Sequence, residues 1–197
     1  MSFILEGATN LQFAEGTDKI FWKWSADGTF SSTKTYKLMA SIGKIKTPVL
    51  WNWKLRLPPK IKLFSLLLLQ GKLLTQQALL RRNIQIHTGC SLCSESLVED
   101  SLHLFFTCTY STRLWQLVGN LTGLAFPVIS DTVLQTVLNT ESSLSGPGKD
   151  KMLAYMFTTL WSLWNERNNR RSRDEAKPVH VLAKSIQEDG ALFFKHS

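Results

Sequence analysis

Apolar positions fall in strand-like runs near the start of this chain and at helical spacing over its second half. Lys19-Ile20-Phe21-Trp22-Lys23-Trp24 gathers strand formers, Ala26-Asp27-Gly28 has turn chemistry, and Thr29-Phe30-Ser31 resumes the extended pattern. Together these predict a short N-terminal β-hairpin. Ser32 or Thr33 can cap a helix running through Met39. Residues 1–17 show no period and predict a loose lead-in.

Further along, Trp51-Asn52-Trp53-Lys54-Leu55 is followed by Pro58-Pro59, which stops one element and lets a helix start, because proline suits a first helical turn. A mostly apolar helix is predicted over 60–69, broken by Gly71. Thr75 can cap the next, over 76–82. After Cys108 the pattern is helical throughout. Leu114, Trp115 and Val118 share one face of a helix over 111–118, and 131–139 is a second candidate. Ser145-Gly146-Pro147-Gly148 marks a linker at the end of 142–148. A long helix follows over 150–171, with Leu153, Met156, Phe157, Leu160, Trp161 and Trp164 on one broad apolar stripe and Arg167, Arg170, Arg171 and Arg173 at its end. Pro178 opens a last helix carrying Val181, Leu182 and Ile186. The fold class is therefore mainly α with a short N-terminal β-hairpin.

Composition supports a packed core: 44% of the residues are hydrophobic and 11% aromatic, which excludes global disorder. The formal net charge of +8 favours anionic partners such as nucleic acid or an acidic membrane face, although a solvated, mildly basic surface would account for it as well. The first sixteen residues carry Glu6 and Glu15 and lack a basic stretch leading into a long apolar one, so no signal peptide is read there. The run Leu66 to Leu69 is far too short to span a bilayer, and no membrane partner is expected. A nuclear or cytoplasmic location is the expectation.

The three cysteines, an odd number with one Cys-x-x-Cys, argue against a disulfide framework and for a reducing compartment. Cys90, Cys93, His103 and Cys108 follow the spacing Cys-x2-Cys-x9-His-x4-Cys. Two cysteines separated by two residues can grip one metal from a single tight turn. His103 and Cys108 supply the other pair from a second short segment that looks helical. Three thiolates and one imidazole complete a tetrahedron for zinc, with no position left for water, and such closed sites are structural. Backbone N–H groups around Cys90 and Cys93 should donate to the sulfurs. A redox Cys-x-x-Cys would need a thioredoxin-like βαβ context that is missing, and would leave His103 and Cys108 as coincidences. A zinc deaminase would need His-x-Glu and Pro-Cys-x-x-Cys, whereas Gly89 precedes Cys90 here and no His-x-Glu occurs. His87 is the one substitute ligand in reach and reads as an exposed loop histidine.

With these residues assembled, the chain resembles the zinc-binding domain of reverse transcriptases, as found near the C-terminus of plant non-LTR (LINE-type) retrotransposon polyproteins. The resemblance runs through Trp22-Lys23-Trp24, Gly28-Thr29-Phe30-Ser31, Tyr36-Lys37, Trp51, Trp53-Lys54, Pro58-Pro59-Lys60-Ile61-Lys62 and Phe64. It continues through Gly71-Lys72-Leu73, Thr75, Leu79, Arg81-Arg82, Cys90, Leu92-Cys93, Glu99, His103-Leu104-Phe105, Cys108 and Trp115. The stretch from Leu160 to Asn168 is similar to the helical segment that follows this domain in the family. The chain departs from the family at Leu66 and Leu67, where a Trp and a basic residue are usual, and at Leu74, where Pro is usual. The residue pattern and the resemblance together predict a lead-in over 1–17, a zinc-stabilised domain over 18–116, a helix and Ser/Gly/Pro linker over 117–148, and a helical extension over 149–197.

It also implies a non-catalytic module that contacts RNA or DNA. The family polymerase's aromatic-x-Asp-Asp motif is absent, and the chain reads as a fragment or domesticated remnant that stops short of the ribonuclease H carboxylates. No nucleophile motif or phosphate-cradling Gly-rich loop occurs, so neither an enzyme nor a small-molecule substrate is expected. Lys60, Lys62, Lys72, Arg81 and Arg82 are candidate phosphate contacts, or else a solvated face. Trp51 and Trp53 could stack on bases, although buried aromatics dominate small cores and core is the favoured reading for both. The alternative is an interaction or scaffold protein that offers the helix 150–171 to a protein partner.

Overall fold

A computed structural model describes residue 29 and residues 54–84, 89–93, 98–125 and 127–193. The predicted hairpin over 18–31 (Thr29 apart), the helix through Met39, Trp51, Trp53 and His87 lie outside the described residues. Contacts divide the chain into units 1–47 and 48–197, and every element below belongs to the second. Among the described residues the structure is helical, without a strand.

Helix α1 spans Pro59–Leu69. Pro58 precedes it, and its carbonyl accepts from the N–H groups of Ile61 and Lys62 at 3.0 and 3.2 Å, so the first turn closes where proline has no N–H to lose. Ile61, Phe64, Ser65, Leu68 and Leu69 form its buried stripe, at the spacing of one helical face. Gly71 ends it at φ +64°, with the N–H groups of Gly71 and Lys72 turned back to the carbonyls of Leu68 and Leu67. Thr75 caps the short helix α2, Gln76–Leu80, by accepting from the Ala78 N–H.

Helix α3 spans Thr109–Thr122 and passes through the 116/117 boundary expected from the sequence. Helix α4 spans Val133–Ser143, capped by Thr132, whose hydroxyl accepts from the Gln135 N–H at 3.1 Å. Helix α5, Pro147–Arg173, begins inside the expected linker and is about 40 Å long at 1.5 Å per residue. Helix α6, Val179–Leu192, follows Pro178. No helix among the described residues is long and apolar enough to cross a membrane.

Helix α5 is the axis of this unit. Every residue from Met152 to Leu160 is buried, so this stretch is enclosed on all sides rather than amphipathic. It packs against α1, α3, α4 and α6, and α3 packs most extensively on α6. Phe64 of α1 meets Trp161 edge-on at 5.2 Å and Phe105 at 6.2 Å, joining α1, α5 and the segment before α3 into one core. At Gly190 of α6 the Tyr155 ring fills the place a Cβ would take, and this sets how closely α5 and α6 approach.

Candidate metal centre

The half of the site that carries His103 and Cys108 is built into the core. Residues His103–Thr107 form one π-helical turn, closed by the Cys108 N–H donating to the His103 carbonyl at 2.8 Å. A single π turn re-aims side chains and leaves carbonyls without their usual α-helical partners. Helix α3 supplies those partners. Ser111 Oγ donates to the Leu104 carbonyl at 2.6 Å, Trp115 Nε1 to Phe105 at 2.8 Å, and Thr112 Oγ1 to Phe106 at 3.0 Å. The side chains of Leu104, Phe105 and Phe106 are fully buried, so the turn is fixed by apolar packing on one side and satisfied backbone on the other. At its start the Asp100 carboxylate accepts from the His103 N–H at 2.7 Å.

Cys90 and Cys93 sit in a loop without regular structure. The Leu92 N–H donates to Cys90 Sγ at 3.4 Å, as expected for a metal-gripping turn. The four side chains meet: one ligand atom from each of Cys90, Cys93, His103 and Cys108 lies within 4.8 Å of all the others. Cys90 Sγ is 3.9 Å from Cys108 Sγ, and Cys93 Sγ is 3.4 Å from His103 Nε2. A tetrahedron with Zn–S near ~2.3 Å and Zn–N near ~2.0 Å has edges of roughly 3.5–3.8 Å, so the set fits zinc with little adjustment. Cys90, His103 and Cys108 are buried, and Cys93 is half-buried at the floor of an open groove of about 630 Å³ that Tyr110, Arg113, Arg170 and Lys177 also line.

Electrostatics divide the two buried thiols. The hydrogen bond to Cys108, then burial, pushes the Cys90 thiol well up, while the same bond, received from Cys90, holds Cys108 down against the effect of burial. Backbone donors at Ser111 and Tyr110, in the first turn of α3, add to the lowering at Cys108. Zinc would take both as thiolates and release their protons. Three cysteines and one histidine would close its coordination shell, so the chemistry it supplies is cross-linking of two segments rather than activation of water.

Sequence reasoning missed a set of polar residues around the site. Glu99, fully buried, receives the Arg167 guanidinium through Nε at 3.0 and 3.1 Å and Nη2 at 2.6 Å. Gln76 receives the N–H groups of Glu99 at 2.9 Å and Gly89 at 3.4 Å. Arg170 donates to Glu166 at 2.8 Å and to the Leu92 carbonyl at 3.0 Å, and lies over the Tyr110 ring at 4.4 Å. Position 99 and the stretch ending at 168 were both visible in the sequence, but no spacing rule pairs groups so far apart.

The candidate phosphate contacts lie at three places. Lys60 is exposed and Lys62 partly exposed at the first turn of α1, while Lys72 follows its far end, about 15 Å along the axis. Arg81 and Arg82 are exposed just after α2, and Arg81 shares a groove with Gly71, Asp100 and Asp131.

The helical unit and its closed donor set define a zinc-binding domain, and comparison with known proteins places it. Residues 30–115 match the family described as zinc-binding in reverse transcriptase, which upholds the resemblance for that segment, and the cluster of Cys90, Cys93, His103 and Cys108 suits the metal which that description names. A putative ribonuclease H protein of Arabidopsis thaliana is 27% identical over 103 residues, which is 50% of this chain and 16% of that protein. The chain thus aligns with about a sixth of that relative's length. No solved structure matches the chain significantly.

Proposed function

We propose that this chain is a non-catalytic, zinc-stabilised module of retrotransposon origin that holds RNA or DNA by its phosphate backbone. The observation that carries the reading is the closed set Cys90, Cys93, His103 and Cys108, inside a segment matching a zinc-binding family of reverse transcriptases. Four protein ligands leave the metal no open position for substrate, which supports a structural rather than a hydrolytic role. The net charge of +8 and the exposed Lys60, Lys72, Arg81 and Arg82 support the contact with nucleic acid. The apolar stripe of 150–171 is spent inside the unit from Met152 to Leu160, which leaves a scaffold reading little of that helix to offer a protein partner.

The test is binding of the purified chain to single-stranded RNA, single-stranded DNA and duplex DNA across a salt series. Three to five phosphate contacts give a log–log slope of about −3 to −4 on duplex DNA, at about 0.9 per phosphate. Arg81→Glu with Arg82→Glu weakens binding alike for all sequences, because phosphate contacts carry no base information. Binding independent of salt, or unchanged by the double reversal, contradicts the proposal.

A further inference from the structure

The last turns of α5 lie outside the residues that match the family, yet they reach both segments of the metal centre. Arg170 is the nearer link. One guanidinium nitrogen takes the Leu92 carbonyl, between Cys90 and Cys93, and the N–H of the same Leu92 points at Cys90 Sγ. The guanidinium also covers the ring of Tyr110, two residues past Cys108, whose hydroxyl donates to the Lys177 carbonyl at 2.9 Å. Glu166, 1% exposed, receives both Arg170 Nε and the Lys177 N–H at 2.8 Å. Arg167 is the second link. It neutralises buried Glu99, and the next residue, Asp100, accepts the His103 N–H.

We infer that Arg170 and Arg167 are positioning residues of the zinc centre, so that zinc binding and docking of the end of α5 are coupled. The inference rests on the zinc reading of the four ligands and not on nucleic-acid binding. The physical ground is threefold. The Cys90–Cys93 loop has no regular structure of its own, and the Leu92 carbonyl depends on a partner from α5. A Cys3His zinc centre carries one net negative charge, and Arg170 places a cation at the rim of the groove that Cys93 opens into. Groups that orient metal ligands commonly change affinity by about 10- to 100-fold when removed. Coupling of this kind is reciprocal: if α5 tightens the metal site, the metal tightens α5 by the same factor.

The experiment uses the full chain and two readouts. The first is zinc release to a chromogenic chelator, together with the cobalt(II) spectrum of metal-exchanged protein, for wild type, Arg170→Ala, Arg170→Lys and the exposed neighbour Arg171→Ala. Arg170→Ala is expected to weaken zinc affinity by about 10- to 100-fold and to shift the cobalt ligand-field bands. Arg170→Lys should recover part of the loss, and Arg171→Ala should match wild type. The second readout needs no variant: hydrogen exchange of wild type with and without chelator. Metal removal is expected to raise exchange at 166–177 as well as around 90–93. Wild-type release and spectrum in Arg170→Ala overturn the inference. So does exchange at 166–177 that ignores the metal, and this second readout stands even if Arg170→Ala fails to fold. Failure of wild type to bind zinc at all would show instead that the zinc reading itself is wrong.

Discussion

The two ends of helix α5 are held by different physics. From Met152 to Leu160 the helix is enclosed by apolar side chains of α3, α4 and α6, and its polar residues are settled locally, with Thr158 and Thr159 bonded to the carbonyls one turn back. From Glu166 to Arg170 only Glu166 and Arg167 are buried, and the contacts there are with carboxylates, carbonyls and the metal loop. Apolar packing is non-directional and tolerates small shifts, whereas buried ion pairs stabilise only while every partner stays in place. The bundle end should therefore stand without metal, and the other end should not.

Removing zinc should separate the two ends most strongly. Structural zinc contributes roughly 10–16 kcal/mol in small zinc peptides, and its loss here should disorder the Cys90–Cys93 loop while the bundle keeps its helices. Circular dichroism should therefore fall only slightly on chelation, as cysteine reactivity rises. Next comes Arg167→Ala, which leaves Glu99 buried without its partner. Breaking one side of such a pair costs about 3–5 kcal/mol, and chemical denaturation should show a loss of that order.

Gly190→Ala probes the bundle end. The added methyl meets the Tyr155 ring, and overpacking of this kind costs about 1–3 kcal/mol. Thermal stability should drop while zinc content stays at the wild-type value, the reverse of what Cys93→Ser should do. The smallest effect is alkaline. Burial, then the negative charge of Glu166, pushes the Tyr110 phenol up to about 12 from 10.0. Its folded pKa lies above its unfolded one, so its contribution is complete below pH 10 and is lost as pH rises toward 12. Tyr110→Phe should flatten that part of the stability curve relative to wild type.

Much of this was legible in the sequence, for local reasons. Pro58-Pro59, Gly71, Thr75 and Pro178 act through their own backbone chemistry, so the helices they start, stop or cap could be read one residue at a time. The four metal-binding side chains were readable because zinc imposes its spacing on the chain. The π turn over His103–Thr107 was not, since it depends on Ser111, Thr112 and Trp115 reaching back to its carbonyls. Arg167 and Arg170 read only as the basic end of the long helix over 150–171. Their partners, Glu99 and the Leu92 carbonyl, are brought to them only by the packing of α5.

The central claim is that Cys90, Cys93, His103 and Cys108 hold zinc, and metal content of the purified full chain tests it most directly. Elemental analysis should find one zinc per chain in wild type and well under one in Cys93→Ser and Cys108→Ser. A metal-free wild type with three freely reactive thiols, or a full zinc complement in both serine variants, would contradict it.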